Sequence, residues 1–205
     1  CGRMFQEYYS EEDSRIGRSF TVGVSQDRGE SQVIEQTYLL FRHSFNCESG
    51  KKVNARFFCL FDDPIMNGHS ANYAKGHLPG LLEKYLTKYN EKKLSIPGIW
   101  NALQSAFVQA SVSHIGEKGT AAAVVMILAN KVWVASRGKI VVVLDNQGTA
   151  IRLNYVNNEG IGSTCLEEGK SARCKIISYP LNEIEPGSHI ILSCQNVFRV
   201  INSKE

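Results

Sequence analysis

GTAAAVVMILANKVWVASRGKIVVVLDNQGTAIRLN, residues Gly119 to Asn154, holds four short apolar runs in close succession. They are Ala121 to Leu128, Val132 to Ser136, Ile140 to Leu144 and Ala150 to Leu153. Each is strand length, and Val and Ile dominate them. Between them stand Asn130-Lys131, Arg137-Gly138 and Asn146-Gln147-Gly148, residues that favour tight turns. Short β-branched runs broken by such turns predict a meander of antiparallel strands.

Upstream lies Arg56 to Phe61, a continuous apolar run that stops at Asp62-Asp63-Pro64. It reads as a fully buried strand ending in a polar turn. Ala71, Ala74, Leu78, Leu81, Leu82 and Leu86 then fall on one side of a helix, interrupted at Pro79-Gly80. A second helix starts near Ser95-Ile96-Pro97, with Ser95 as cap and Pro97 in the first turn. Ile99, Leu103, Phe107 and Ala110 continue it at helical spacing, and it should end near Gly116. Trp100 and Phe107 read as core residues. These patterns place helices near 70–88 and 97–115.

Further upstream, Phe20 to Val24 and Tyr38 to Phe41 read as strands, and His43 to Ala55 as a loop. Residues 1–18 are polar and charged and read as an arm or linker, leaving 19–205 as a single domain. Downstream, Asn154 to Arg173 is polar and rich in Gly. Two more strands, Cys174 to Tyr179 and His189 to Cys194, flank the turn Glu185-Pro186-Gly187. Strands, then two helices, then strands is an α+β order. We expect two packed antiparallel β-sheets, with both helices lying together on one of them.

The 205 residues suffice for a sizeable core. The net charge is +3, spread along the chain, which argues against a nucleic-acid or acidic-membrane partner. No apolar run approaches the roughly 18 residues of a membrane span. The opening Cys1-Gly2-Arg3 has no apolar signal region, so the chain reads as intracellular and cytoplasmic, and as a segment of something longer. The six cysteines form no CxxC pair and no zinc spacing. Cys194 and Arg199 are one residue too close for a cysteine-phosphatase loop. No Gly-rich nucleotide loop and no Gly-x-Ser-x-Gly elbow is present. His69 and His77 read as helix-surface residues rather than ligands.

Four blocks, in order, resemble the type 2C family of metal-dependent protein phosphatases. FFCLFDDPIMNGHSANYAKGHLPGLL resembles the family's apolar strand, Asp-Gly-His-Gly-Gly turn and following helix. The stretch from Gly119 to Asn154 resembles its Gly-Ser/Thr-Thr-Ala strand, its Gly-Asp-Ser-Arg strand and its Gly-x-Ala turn. ISYPLNEIEPGSHIILSCQNVFRVIN resembles a strand followed by the Leu-Ala-Ser-Asp-Gly segment. VGVSQDRGESQVIEQTYLLF stands where the first strand pair and its Arg-x-x-x-Glu-Asp motif belong. The resemblance runs from Phe20 to Asn202. It implies two antiparallel sheets packed face to face with helices outside, agreeing with the pattern reading.

The resemblance also implies a chemistry. Family members hold two Mn²⁺ or Mg²⁺ ions on converging carboxylates, and the ions activate a water that attacks phosphate. In this sequence the phosphate-gripping Arg falls on Ser31, the Glu is kept as Glu35, and the neighbouring Asp is Gln36. The bridging Asp is kept as Asp62, while the Gly that lends a carbonyl is Asp63. Lys139 stands at the Asp of Gly-Asp-Ser, Gln195 at the Asp of Ser-Asp-Gly, and Arg199 at the Asp four residues on. Cations where a dication's ligands stood repel that dication strongly. We therefore expect no catalytic residues, no metal and no cofactor, with Glu35 and Asp62 as remnants. The alternative is a degenerate but active Mn²⁺- or Mg²⁺-dependent serine/threonine phosphatase.

Lys139 and Arg199 could together form an anion contact, although a solvated or paired charge is the plainer reading. Asp62 and Asp63 could simply cap a helix or turn. The family's substrate-shaping flap is also shortened, since only Asn154 to Ser188 spans its place. The function that follows is a pseudophosphatase-type interaction, scaffold or regulatory domain. Its partner would be a protein or a larger assembly.

Overall fold

The computed structural model describes residues 5–13, 18–26, 36–48, 50, 52–63, 69–113, 119–154 and 173–194. In chain order its strands and helices are β1 (Phe5–Asp13), β2 (Arg18–Gln26), β3 (Gln36–Asn46), β4 (Lys52–Asp62), α1 (His69–Asn90), α2 (Ile96–Ser113), β5 (Ala121–Leu128), β6 (Lys131–Arg137), β7 (Ile140–Asn146), β8 (Thr149–Arg152), β9 (Lys175–Pro180) and β10 (His189–Cys194). A 3-10 turn, Leu181–Glu183, follows β9. No helix among the described residues is long and apolar enough to cross a membrane.

The two expected sheets are present. One has five strands in the order β3-β4-β5-β6-β9, the other three in the order β10-β7-β8, and every pairing is antiparallel. Strand β5 shows how one sequence serves two interfaces. Ala122, Val124, Met126 and Leu128 pack toward the helices with Phe57, Cys59, Phe61, Leu78, Leu82, Leu103 and Phe107. Ala121, Ala123, Val125 and Ile127 pack between the sheets with Ile140, Val142 and Leu144. Successive side chains point to opposite faces, so an uninterrupted apolar run suits a strand covered on both sides. The layers are therefore helices, five-stranded sheet, three-stranded sheet.

Both helices lie on the five-stranded sheet, as expected. Ser95 caps α2, its hydroxyl accepting the amide of Gly98 at 3.1 Å. Helix α1 runs straight through Pro79-Gly80. A proline inside a helix costs about 3 kcal/mol, but Leu78, Leu82 and Leu86 are fully buried on the core side and hold the helix across it. Buried Trp133 satisfies its indole by donating to the Leu128 carbonyl at 3.2 Å.

Three expectations change. The segment read as a loop from His43 to Ala55 is a hairpin, with Phe45 opposite Val53 and Asn46 opposite Lys52. Phe45, Val53 and Ala55 are buried while Ser44 and Asn54 bond to each other on the exposed side, an alternation that a polar stretch conceals. The stretch read as an arm or linker over 1–18 contains β1, which pairs with β2 in a two-stranded sheet of its own. Trp100 is 41% exposed rather than core, whereas Phe107 is fully buried.

Candidate functional site

The strands bring several of the sequence-predicted positions to one end of the five-stranded sheet. Gln36 opens β3 and pairs with Asp62, which closes β4. Asp62 pairs in turn with Ala121 at the start of β5, and Ala122 with Arg137 at the end of β6. Gly138, at φ +93°, then turns the chain from one sheet to the other, a conformation that a side chain would strain. Lys139 follows it, exposed, and Ile140 begins β7. Strand β10 ends at Cys194, opposite Ile140, so it too leaves its sheet at this end.

Within that row, Gln36 donates its Nε2 hydrogen to Asp62 Oδ1 at 3.0 Å. Phe58 and Leu60, two and four residues before Asp62, pack into the cluster between the sheets. Alternation therefore turns Asp62 toward the same inter-sheet side. The Asp62 carbonyl accepts from the Thr120 hydroxyl at 2.9 Å. Sequence reading passed over Thr120. Its signal was its place immediately before the buried β5 run.

Asp63 does different work. It is fully buried, and its Oδ2 accepts the amide of Ser70 at 3.1 Å in the first turn of α1. A carboxylate at a helix N-terminus satisfies an otherwise orphaned N–H and meets the positive end of the helix dipole. The capping reading holds for Asp63. His69 and His77 lie exposed on α1, and His77 stacks on Tyr73 with ring centroids 4.0 Å apart.

Glu35, Gln195 and Arg199 lie outside the described residues, as do Ser31 and residues 155–172 of the span expected to replace the flap. Arg137, which sequence reading took for turn punctuation, is buried at 1% exposure beside the exposed Lys139. Its charge reaches Cys174, although burial dominates there and pushes that thiol up to about 12. Burial raises Cys59 further still. In both, burial disfavours the thiolate and with it nucleophilic character.

Among the described residues, no three His, Cys, Asp or Glu side chains gather into a group that could hold a metal ion. Among the described residues, this end of the sheet carries the carboxylate of Asp62 bonded to the neutral amide of Gln36, with a lysine in the neighbouring turn. A binuclear Mn²⁺ or Mg²⁺ centre needs several converging carboxylate oxygens. These residues do not fit one.

No family model matches the sequence, and no curated protein matches it either. Solved structures do match the fold. One is the PP2C phosphatase domain, with a fragment of the regulatory domain, of the cell fate determinant SpoIIE from Bacillus subtilis. It aligns at TM-score 0.51 and 15% identity, over 97% of this chain and 55% of that one. Another is RsbX in complex with magnesium, at TM-score 0.52 and 14% identity, over 91% of this chain and 77% of that one. The chain has a PP2C-like fold. At this identity the likeness is one of fold, and the chain spans about half of the SpoIIE structure. The PP2C-like fold explains the sheet-on-sheet architecture, while the donor set at its end is this chain's own.

Proposed function

We propose that this PP2C-like domain is a pseudophosphatase, acting as a protein-interaction, scaffold or regulatory module rather than an enzyme. The observation that carries this reading is the fate of the two adjacent carboxylates at the end of β4. Asp63 is buried as the cap of α1, and Asp62 accepts a hydrogen bond from the neutral amide of Gln36. Lys139, exposed in the turn between the sheets, adds positive charge near where a dication would need ligands. Gln195 and Arg199 extend the same substitution pattern along the sequence.

A fold kept without its chemistry retains a rigid surface, and function resides in sites placed on folds. The partner on this reading is a protein, in the same polypeptide or a larger assembly. It docks on the segment from Asn154 to Arg173 or on the N-terminal hairpin. Deleting residues 155–172 then abolishes co-purification of the partner, while replacing Lys139 and Arg199 with Ala leaves it intact. The opposite result transfers the interaction to a phosphate-binding cleft. Calorimetric titration of Mn²⁺ into the purified domain tests the metal half of the reading. We expect no saturable heat. Two tight sites would return the domain to the active metal-dependent phosphatases.

A further inference from the structure

We propose that the corner where α1 meets α2 is a separate interaction surface, built to receive an acidic amphipathic helix of a protein partner on Tyr89, Ile96, Trp100 and the lysines around them. Helix α1 starts beside Asp63 and runs 22 residues, about 33 Å, so this corner lies far from the strand end that carries Asp62. The proposal holds whether or not the domain is catalytic.

Basic residues are spread along the chain, but their excess is not. From His69 to Ser113 there are five lysines, Lys75, Lys84, Lys88, Lys92 and Lys93, against Glu83 and Glu91. That excess of three equals the net charge of the whole chain, so the remainder is balanced. Four of the five stand exposed between Lys84 and Lys93. Helix α2, 18 residues long, has no charged residue at all. Among the described residues the exposed large hydrophobics are Tyr89, Ile96, Trp100, Val112 and Ile191. Three of these five fall between residues 89 and 100, so exposed apolar surface and surplus positive charge coincide.

The corner is held rigidly. Asn90 is fully buried, its Nδ2 donating to the Leu86 carbonyl at 2.9 Å and its Oδ1 accepting the Ser95 amide at 3.1 Å. A Cβ at Gly98 would stand 2.7 Å from the Tyr89 carbonyl, so only glycine lets the helices meet this closely. Tyr89 reaches α2, where its hydroxyl accepts from Ser105 at 3.2 Å. Lys84 and Lys88 lie over the rings of Tyr85 and Tyr89, 5.6 and 5.7 Å from the centroids. The apolar residues come as two pairs one turn apart, Tyr85 with Tyr89 and Ile96 with Trp100. Such i, i+4 ridges fit the grooves of another helix. The lysines beside them select acidic flanks on that helix, because complementary charge sets partner choice. A surface fixed in advance loses little entropy on binding.

The probe is a fluorescently labelled synthetic helix of about five turns, with a Leu stripe flanked by Glu. A second peptide carries Lys in place of Glu. Binding is read by anisotropy and by the emission of Trp100, which moves to the blue when a peptide covers it. The chain's other tryptophan, Trp133, is already buried. The Glu peptide should saturate the wild type and the Lys peptide should not. Lys84→Glu with Lys88→Glu should weaken the Glu peptide roughly tenfold or more, and Trp100→Ala should weaken it as well. Thermal unfolding like that of the wild type shows that each variant is folded. No saturation of the wild type by the Glu peptide up to about 1 mM overturns the proposal, as does equal binding by the charge-reversed variant. Vesicles containing phosphatidylserine that hold the wild type more tightly than the Glu peptide does would assign the corner to a membrane, and overturn it too.

Discussion

His43 shows how one side chain ties a strand to a helix. It projects from β3 toward α1, where its Nε2 lies 3.1 Å from the Thr87 hydroxyl and its Nδ1 3.7 Å from Glu83. Desolvation lowers its pKa below 6.5, and the opposing pull of Glu83 is the smaller effect. The sign follows from proton counting. Between the lowered folded value and 6.5 the unfolded chain binds more protons, so stability rises with pH. The contribution is present above about 6.5 and is lost as pH falls through the folded value. We predict that the stability of wild type against urea falls between neutral pH and pH about 5, and that His43→Gln reduces this slope. An unchanged slope in the variant would show that other groups set it. Residue-scale legibility was uneven. The caps at Ser95 and Asp63 could be read in advance because a short polar side chain before a helix has few other uses. Neither the bond from Gln36 to Asp62 nor the burial of Arg137 could be read, because both depend on strand register.

Among the elements, β4 to β8 were most legible, because period and turn chemistry agreed there. Tight turns at Ala129-Asn130 and Gln147-Gly148 take positive φ at each central residue, as two-residue hairpins require. The sequence could not show that β6 and β7, adjacent along the chain, lie in different sheets. That switch depends on Gly138 and on Asn154, which is 2% exposed. Asn154 Oδ1 accepts the Val142 amide at 2.8 Å. Its Nδ2 donates to Ser136 Oγ at 3.0 Å and to the Ile140 carbonyl at 2.7 Å. It thereby ties the end of β6 to the start of β7. Asn154→Ala leaves buried partners unsatisfied and should cost on the order of 3 kcal/mol in chemical denaturation. A loss below about 1 kcal/mol would show that water replaces the side chain freely. Gln104 performs a similar task for β9, pairing with both backbone groups of Cys174 from α2.

At the scale of the whole molecule, a three-layer arrangement follows from two apolar faces on β5 and β6 and one on the helices. The fold class was legible because its signal is repeated in many strands. The candidate site was legible only residue by residue, since a single residue changes chemistry without changing pattern. The structure brings Gln36, Asp62 and Lys139 to one end of the sandwich and commits Asp63 to α1. The direct test is hydrolysis of an aryl phosphate by the purified domain in saturating Mn²⁺, beside an Asp62→Ala control. No turnover above that control is the expected result. Mn²⁺-dependent turnover in the wild type that Asp62→Ala abolishes would contradict the pseudophosphatase reading.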